Sequence, residues 1–224
     1  WDSGAIDAVA LDGQFIRIDH NEIFTTTAEG KKELARYGIY CDFGGGTDVY
    51  TGRYIVDHNV VYNISGPLLI NHIKQMNIYN NVLLSSISDH PGIANFNGGT
   101  GEEDTIRNNI MSTGPNVICC SFGILRDAVI ENNIDNAQGA VANALFTDTL
   151  NHIYTLKASA LDAIDRGVDF APFNDQIFGT AVDLGAYEFG TTVWTSGNTA
   201  LLNPRFLPNG GNFYDDVTFE ILKD

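Results

Sequence analysis

Asp42 ends an apolar, strand-like run and is followed at once by the glycine-rich stretch FGGGTDVYTG, so its carboxylate stands at a strand end beside a long excursion. Positions of that kind line loop-walled clefts, where chemistry is usually done. Asp48 lies within the excursion, and His72 occupies the equivalent place further on, with Asn71 before it and Lys74 after it. Asp42, Asp48, His72 and Lys74 together supply a general base, an acid and a cation. A purely structural alternative is Asp42 capping the loop that it opens.

Repetition sets a second constellation. IRIDHNEIF and YIVDHNVVY place Asp19-His20 and Asp57-His58 ahead of an asparagine, and later copies put Tyr79-Asn80, Arg107-Asn108 and Glu131-Asn132 at the same two positions. Stacked at the ordinary inter-strand spacing, Asp19 and Asp57 would lie ~4.8 Å apart. That is near the ~5–5.5 Å between the carboxylates of retaining glycosidases. Two like charges so close raise one pKa and set an acid beside a base. The alternative is a solvated face on which Asp-His merely varies the corner residue. Around these groups Tyr40 and Tyr79 could stack on a sugar face, and His58, Lys74 and Arg107 could hold its polar groups.

Metal and thiol chemistry are less well specified. GGTGEEDT gathers Glu102, Glu103 and Asp104, a hard-oxygen set suited to calcium but without the spacing of a defined calcium loop. These residues read first as a charged, solvated loop with calcium as the alternative, and no cofactor is expected. Cys41, Cys119 and Cys120 lack the paired spacing of a zinc site and read as small buried hydrophobes. With 28 acidic against 12 basic residues, the net charge of −16 argues against nucleic acid and anionic membranes. No apolar run is long enough to span a bilayer as a helix.

The elements that must position these residues follow from the same asparagines. Asn21, Asn59, Asn81, Asn109 and Asn133 recur at intervals of 38, 22, 28 and 24 residues, each behind a β-branched residue. A fixed core with a variable period reads as a solenoid with loops of different length. Ile18, Val56, Ile78, Ile106 and Ile130 then form one inward column, and the asparagines a second. The asparagine tolerates a left-handed corner, and its amide can bond the next copy in a ladder. A second strand set falls at Gly38–Asp42, Leu68–His72, Gly92–Phe96, Val117–Ser121 and Ala144–Asp148. A β-sandwich would instead need turn signals every ~8–12 residues with Asn-Gly hairpins, and the Asn-Asn pairs here are followed by apolar residues rather than glycine.

The run from Gly38 to Leu84 resembles the right-handed parallel β-helix repeats of extracellular glycoside hydrolases and polysaccharide lyases, and the resemblance extends over about 12–148. Ala163-Ile164-Asp165-Arg166-Gly167 and Asp183-Leu184-Gly185-Ala186-Tyr187-Glu188 are similar to the segment that often closes such proteins, with Leu161-Asp162 standing where a Ser-Pro is usual. The resemblance implies an all-β fold, a right-handed parallel β-helix over 1–150. A C-terminal cap over 151–190 would follow, with Tyr187 and Phe189 covering the last copy, and then an extension over 191–224. It implies a secreted or periplasmic protein acting on a polysaccharide or oligosaccharide. Hydrolysis is expected, with Asp42 and either Asp57 or Asp48 as the carboxylate pair. β-Elimination through His72 or Lys74, and a non-catalytic glycan-binding module, stay open as alternatives. The opening WDSGAIDAVALDG reads as part of a longer protein, with further coils on a preceding or partner segment.

Overall fold

The computed structural model describes residues 3–9, 15–25, 36–42, 53–71, 73, 75–87, 91–95, 104–112, 118–119, 128–170 and 173–194. These residues are mostly β. In chain order come β1 (Ser3–Val9), β2 (Phe15–Asp19), β3 (Glu22–Phe24), β4 (Arg36–Asp42), β5 (Arg53–Asp57), β6 (Val60–Ile64) and β7 (Gly66–Ile70). There follow β8 (Met76–Tyr79), β9 (Val82–Ser85), β10 (Ile93–Asn95), β11 (Thr105–Arg107), β12 (Ile110–Met111), β13 (Ile118–Cys119) and β14 (Val129–Glu131). They make three sheets, ordered β1-β4-β7-β10-β13, β2-β5-β8-β11-β14 and β3-β6-β9-β12, and every pairing is parallel. The chain visits the sheets in rotation, so each strand lies beside the one laid down three strands earlier.

The register follows the expected column, pairing Ile18 with Val56, Val56 with Ile78, Ile78 with Ile106 and Ile106 with Ile130. The first four are buried, whereas Ile130 is 46 % exposed because β14 is the outermost strand of its sheet. One apolar core takes residues from all three sheets, among them Ile39, Cys41 and Leu68 of the first, Tyr54, Val56 and Ile78 of the second, and Val61, Leu83 and Met111 of the third. Cys41 is a free, fully buried thiol that burial pushes up, in keeping with a packing role.

The asparagine ladder is present. Nδ2 of Asn21, Asn59, Asn81 and Asn109 donates to Oδ1 of the next asparagine at 2.9–3.0 Å, ending on Asn133. The left-handed corner, however, lies one residue earlier than expected. His20, His58, Asn80, Asn108 and Asn132 have φ between 50° and 59°, while the ladder asparagines stay outside that region. The two duties are therefore split between neighbouring residues: the corner residue takes the left-handed backbone, and the asparagine after it carries the ladder.

A third sheet was not separable in the sequence from the second, since its strands directly follow each ladder asparagine. Ala144–Asp148 does not extend the parallel first sheet. It spans the end of a short helix, α1 (Ala140–Leu145), and β15 (Phe146–Asp148), which pairs antiparallel with β16 (Ile153–Leu156). The alanines of AVANAL favour helix there over a strand.

The segment after β16 packs along the side of the sheets. Leu184, Ala186, Ala160 and Ala163 join Val60, Tyr62, Val82 and Ile110, the outward residues of the third sheet. Tyr187 and Phe189 pack against this cluster, and burial together with Glu22 of β3 pushes the Tyr187 hydroxyl up. This packing is a lateral cover, because the third sheet is apolar on both faces and needs covering along its length. Gly185 makes the close approach, with φ 90° and its amide donating to Asn108 O at 2.7 Å. The segment braces itself: Asp183 carboxylate oxygens accept from Asp165 N and Phe189 N at 2.6 Å, and Glu188 Oε1 accepts from Asp183 N at 2.9 Å.

Candidate functional site

The left-handed corners form a row of side chains turned toward the closing segment. Asn80, Asn108 and Asn132 donate Nδ2 to the carbonyls of Asp183, Val168 and Arg166 at 2.9–3.0 Å. In the first two copies imidazoles take the same position. His20 and His58 are stacked, with centroids 5.1 Å apart and planes 7° apart. Their partner on the closing segment is Asp175. His20 Nε2 lies 3.2 Å from both Asp175 carboxylate oxygens, and His58 Nε2 lies 3.8 Å from Asp175 Oδ2. Each Nδ1 lies 2.9 Å from the aspartate just before it, Asp19 or Asp57. The ligand-type atoms of His20, His58 and Asp175 all fall within 4.8 Å of one another, so this group could hold a metal ion.

Arg17 organises the carboxylates. Its Nε and terminal nitrogen reach the two oxygens of the buried Asp57 at 2.8 and 2.5 Å, and the same terminal nitrogen lies 3.5 Å from Asp19. Phe173 of the closing segment covers the guanidinium, 5.4 Å from the ring centroid. Burial pushes the Asp57 carboxyl up, but Arg17 and His58 more than offset it, and the group is held below the usual carboxylate range. The expected raised carboxyl is therefore absent at Asp57: a guanidinium lies between the two like charges. Asp57 is also wholly buried, so its geometry suits holding His58 rather than meeting a substrate. For His20, burial disfavours the charged ring, yet Asp175 and Asp19 outweigh it and push the ring up to about 9.

A second carboxylate group lies on the outward face of the first sheet. Asp42 is partly exposed at the end of β4, with Asn71 Nδ2 donating to its Oδ1 at 2.8 Å and to the Tyr40 hydroxyl at 3.1 Å. Asp7 of β1 pairs in register with Tyr40, which puts Asp7, Tyr40 and Asp42 on one face. Burial and the Asp42 charge push the Asp7 carboxyl up. The Tyr40 ring itself is buried beside Tyr37 and Leu69.

The other expected residues divide. Tyr79 is buried under Phe170, with centroids 3.9 Å apart, and its hydroxyl donates to Asn77 Oδ1 at 2.7 Å, so it offers no open stacking face. Arg107 Nε lies 2.8 Å from Glu131 Oε1. Asp104 is buried and accepts from Met76 N at 2.7 Å, inside the protein rather than on a solvated calcium-type loop. Asp48, His72, Lys74, Glu102 and Glu103 lie outside the described residues.

Sequence reading missed Arg17, Asp175, Phe173, Trp194 and Asp7. Only Asp7 carried a local signal, in the alternation of SGAIDAV. Arg17 lies on β2 two residues before Asp19, and the later chain brings Phe173, Asp175 and Trp194 to it and to His20. Among the described residues no helix is long and apolar enough to cross a membrane. No protein-family model, no curated protein and no solved structure matches the chain.

Proposed function

We propose that the chain is a right-handed parallel β-helix that hydrolyses a polysaccharide or oligosaccharide outside the cell, with Asp42 and Asp7 as the carboxylate pair. The fold part rests on the rotation through three parallel sheets and on the asparagine ladder. The observation that supports hydrolysis is the position of Asp7 and Asp42 on one outward face, with Asp7 pushed up by burial and by its neighbour. A carboxyl pushed above its ordinary range beside a second carboxyl suits the acid–base pair of glycoside cleavage. One inter-strand step and two residues along the strand separate them, roughly 8 Å between Cα atoms. Carboxyl groups held at a like separation would leave room for a water and suit inversion at the anomeric carbon. Asp7 thus takes the part that the sequence assigned to Asp57 or Asp48.

The test is reducing-sugar release from a panel of neutral and uronic-acid polysaccharides, with the anomer of the first product followed by NMR. Inverted product, lost in Asp42→Asn and in Asp7→Asn while the circular dichroism spectrum is kept, is the expected result. Products carrying the ultraviolet absorbance of an unsaturated uronate would replace hydrolysis by β-elimination. No release from any substrate would favour a glycan-binding module.

A further inference from the structure

We propose that His20, His58 and Asp175 bind one divalent first-row transition ion, of which zinc is the type, and that this ion clips the closing segment to the first two copies of the repeat. The donor set is two imidazole nitrogens and one carboxylate, which suits zinc and its neighbours and not calcium, whose ligands are oxygens.

Three features of the site favour an ion over a plain ion pair. The first is the direction of the rings. Asp19 and Asp57 each lie 2.9 Å from one Nδ1, which orients the ring and turns its Nε2 toward Asp175. Carboxylates placed behind metal-ligating histidines do this in established sites. Asp57 is itself held by Arg17, so the second layer is anchored in turn.

The second is charge. Three carboxylates and one guanidinium surround the two rings, an excess of acidic groups that favours a divalent cation.

The third is position. The corner demands a left-handed backbone, and the three later copies meet it with asparagine. Imidazole replaces asparagine in the two copies that face Asp175.

The fit needs one adjustment. Bonds of about 2.0–2.1 Å at tetrahedral angles set ligand atoms about 3.4 Å apart. The two histidine–Asp175 distances, 3.2 and 3.8 Å, straddle that value. The two Nε2 atoms must come within about 4.2 Å, twice a Zn–N bond. His20 is the more exposed ring and can turn to do so, with the edge of Trp194 packed against it at 5.2 Å. Three protein ligands leave a fourth position for water.

The consequence is a long-range clip. His20 and Asp175 are 155 residues apart, so the ion would close a very large loop.

The experiment uses the full chain stripped with a chelator, with ZnCl2 titrated in competition with a chromophoric chelator. The expected result is one zinc per chain and a rise in Tm on loading. His20→Asn and His58→Asn each introduce the corner residue of later copies and so preserve the fold. Together with Asp175→Asn they should weaken zinc at least tenfold, while His152→Asn, away from the site, leaves binding unchanged. X-ray absorption of the zinc-loaded wild-type chain should count two imidazoles, which removes dependence on any variant's folding. Failure to take up stoichiometric zinc, variants that bind as tightly as wild type, or fewer than two imidazoles at the metal would each overturn the proposal. None of these outcomes bears on glycan turnover, so this idea and the hydrolase reading stand or fall separately.

Discussion

His20 and His58 stack with their planes 7° apart at the same left-handed corner of successive copies, and both turn Nε2 toward Asp175. The corner row therefore does two jobs along its length. In later copies its asparagines fasten the closing segment through backbone carbonyls, and in the first two its histidines meet a carboxylate.

The ladder inside that row should carry much of the stability. Asn81 is fully buried, donates Nδ2 to Val56 O, Tyr79 O and Asn109 Oδ1, and accepts from Asn59 N and Nδ2. Asn81→Ala leaves several buried groups without partners, a loss on the order of 4 kcal/mol. Asn133 stands at the partly exposed end, where water can substitute, and Asn133→Ala should cost only about 1–2 kcal/mol. Urea denaturation of the two variants measures the difference, and equal losses would contradict it.

Arg17→Met should be costly for a different reason. It strands the buried Asp57 carboxylate with His58 as its remaining side-chain partner among the described residues. Removing one partner of a buried ion pair costs about 3–5 kcal/mol. The double variant Arg17→Met/Asp57→Leu should recover much of the loss. If the double variant is no more stable than Arg17→Met, the stranded charge is not the cause.

Gly38 has no side chain because there is no room for one. A Cβ there would press on Val61 and lie 2.8 Å from Pro67 O. Overpacking of this kind costs about 1–3 kcal/mol, so Gly38→Ala should lower the urea midpoint while the m-value holds. An unchanged midpoint would show that the first and third sheets part without cost at this corner.

What could be read in the sequence was what repeats. The columns led by Ile18 and Asn21 were visible because each copy restates them, and the observed register keeps both. The left-handed residue was placed one position late because His20 and Asn21 both belong to types that tolerate that backbone, and only the ladder distances separate their duties. The Asp19–Asp57 pair was legible as a pair, but Arg17, two residues away on the same face, changes its chemistry by neutralising it. Asp175 and Phe173 were not legible. Their partners His20 and Arg17 lie far back in the chain, and a lateral cover leaves no periodic trace. Asp42 was found from its strand end, while its neighbour Asp7 depends on the pairing of β1 with β4.

Asp104 should give the protein a distinctive acid response. It sits 1 % exposed at the start of β11, with Oδ1 bonded to Met76 N and no hydrogen-bond partner for Oδ2 among the described residues. Burial pushes its carboxyl from 3.8 up to about 6, although the backbone amides of Met76 and Gln75 pull the other way. The folded protein thus holds this proton more tightly than the unfolded chain. The stabilisation from that proton is complete below pH 3.8 and is lost as pH rises through about 6. At neutral pH the native state carries a buried, half-satisfied charge instead. Asp104→Asn keeps an oxygen for Met76 N and removes the ionisation, so at pH 7 it should be more stable than wild type by about 1–3 kcal/mol. That advantage should shrink toward zero as the pH is lowered to about 4. Paired urea titrations at the two pH values decide the matter: an advantage that is absent at pH 7, or that does not change with pH, would mean that Asp104 is not ionising inside the fold.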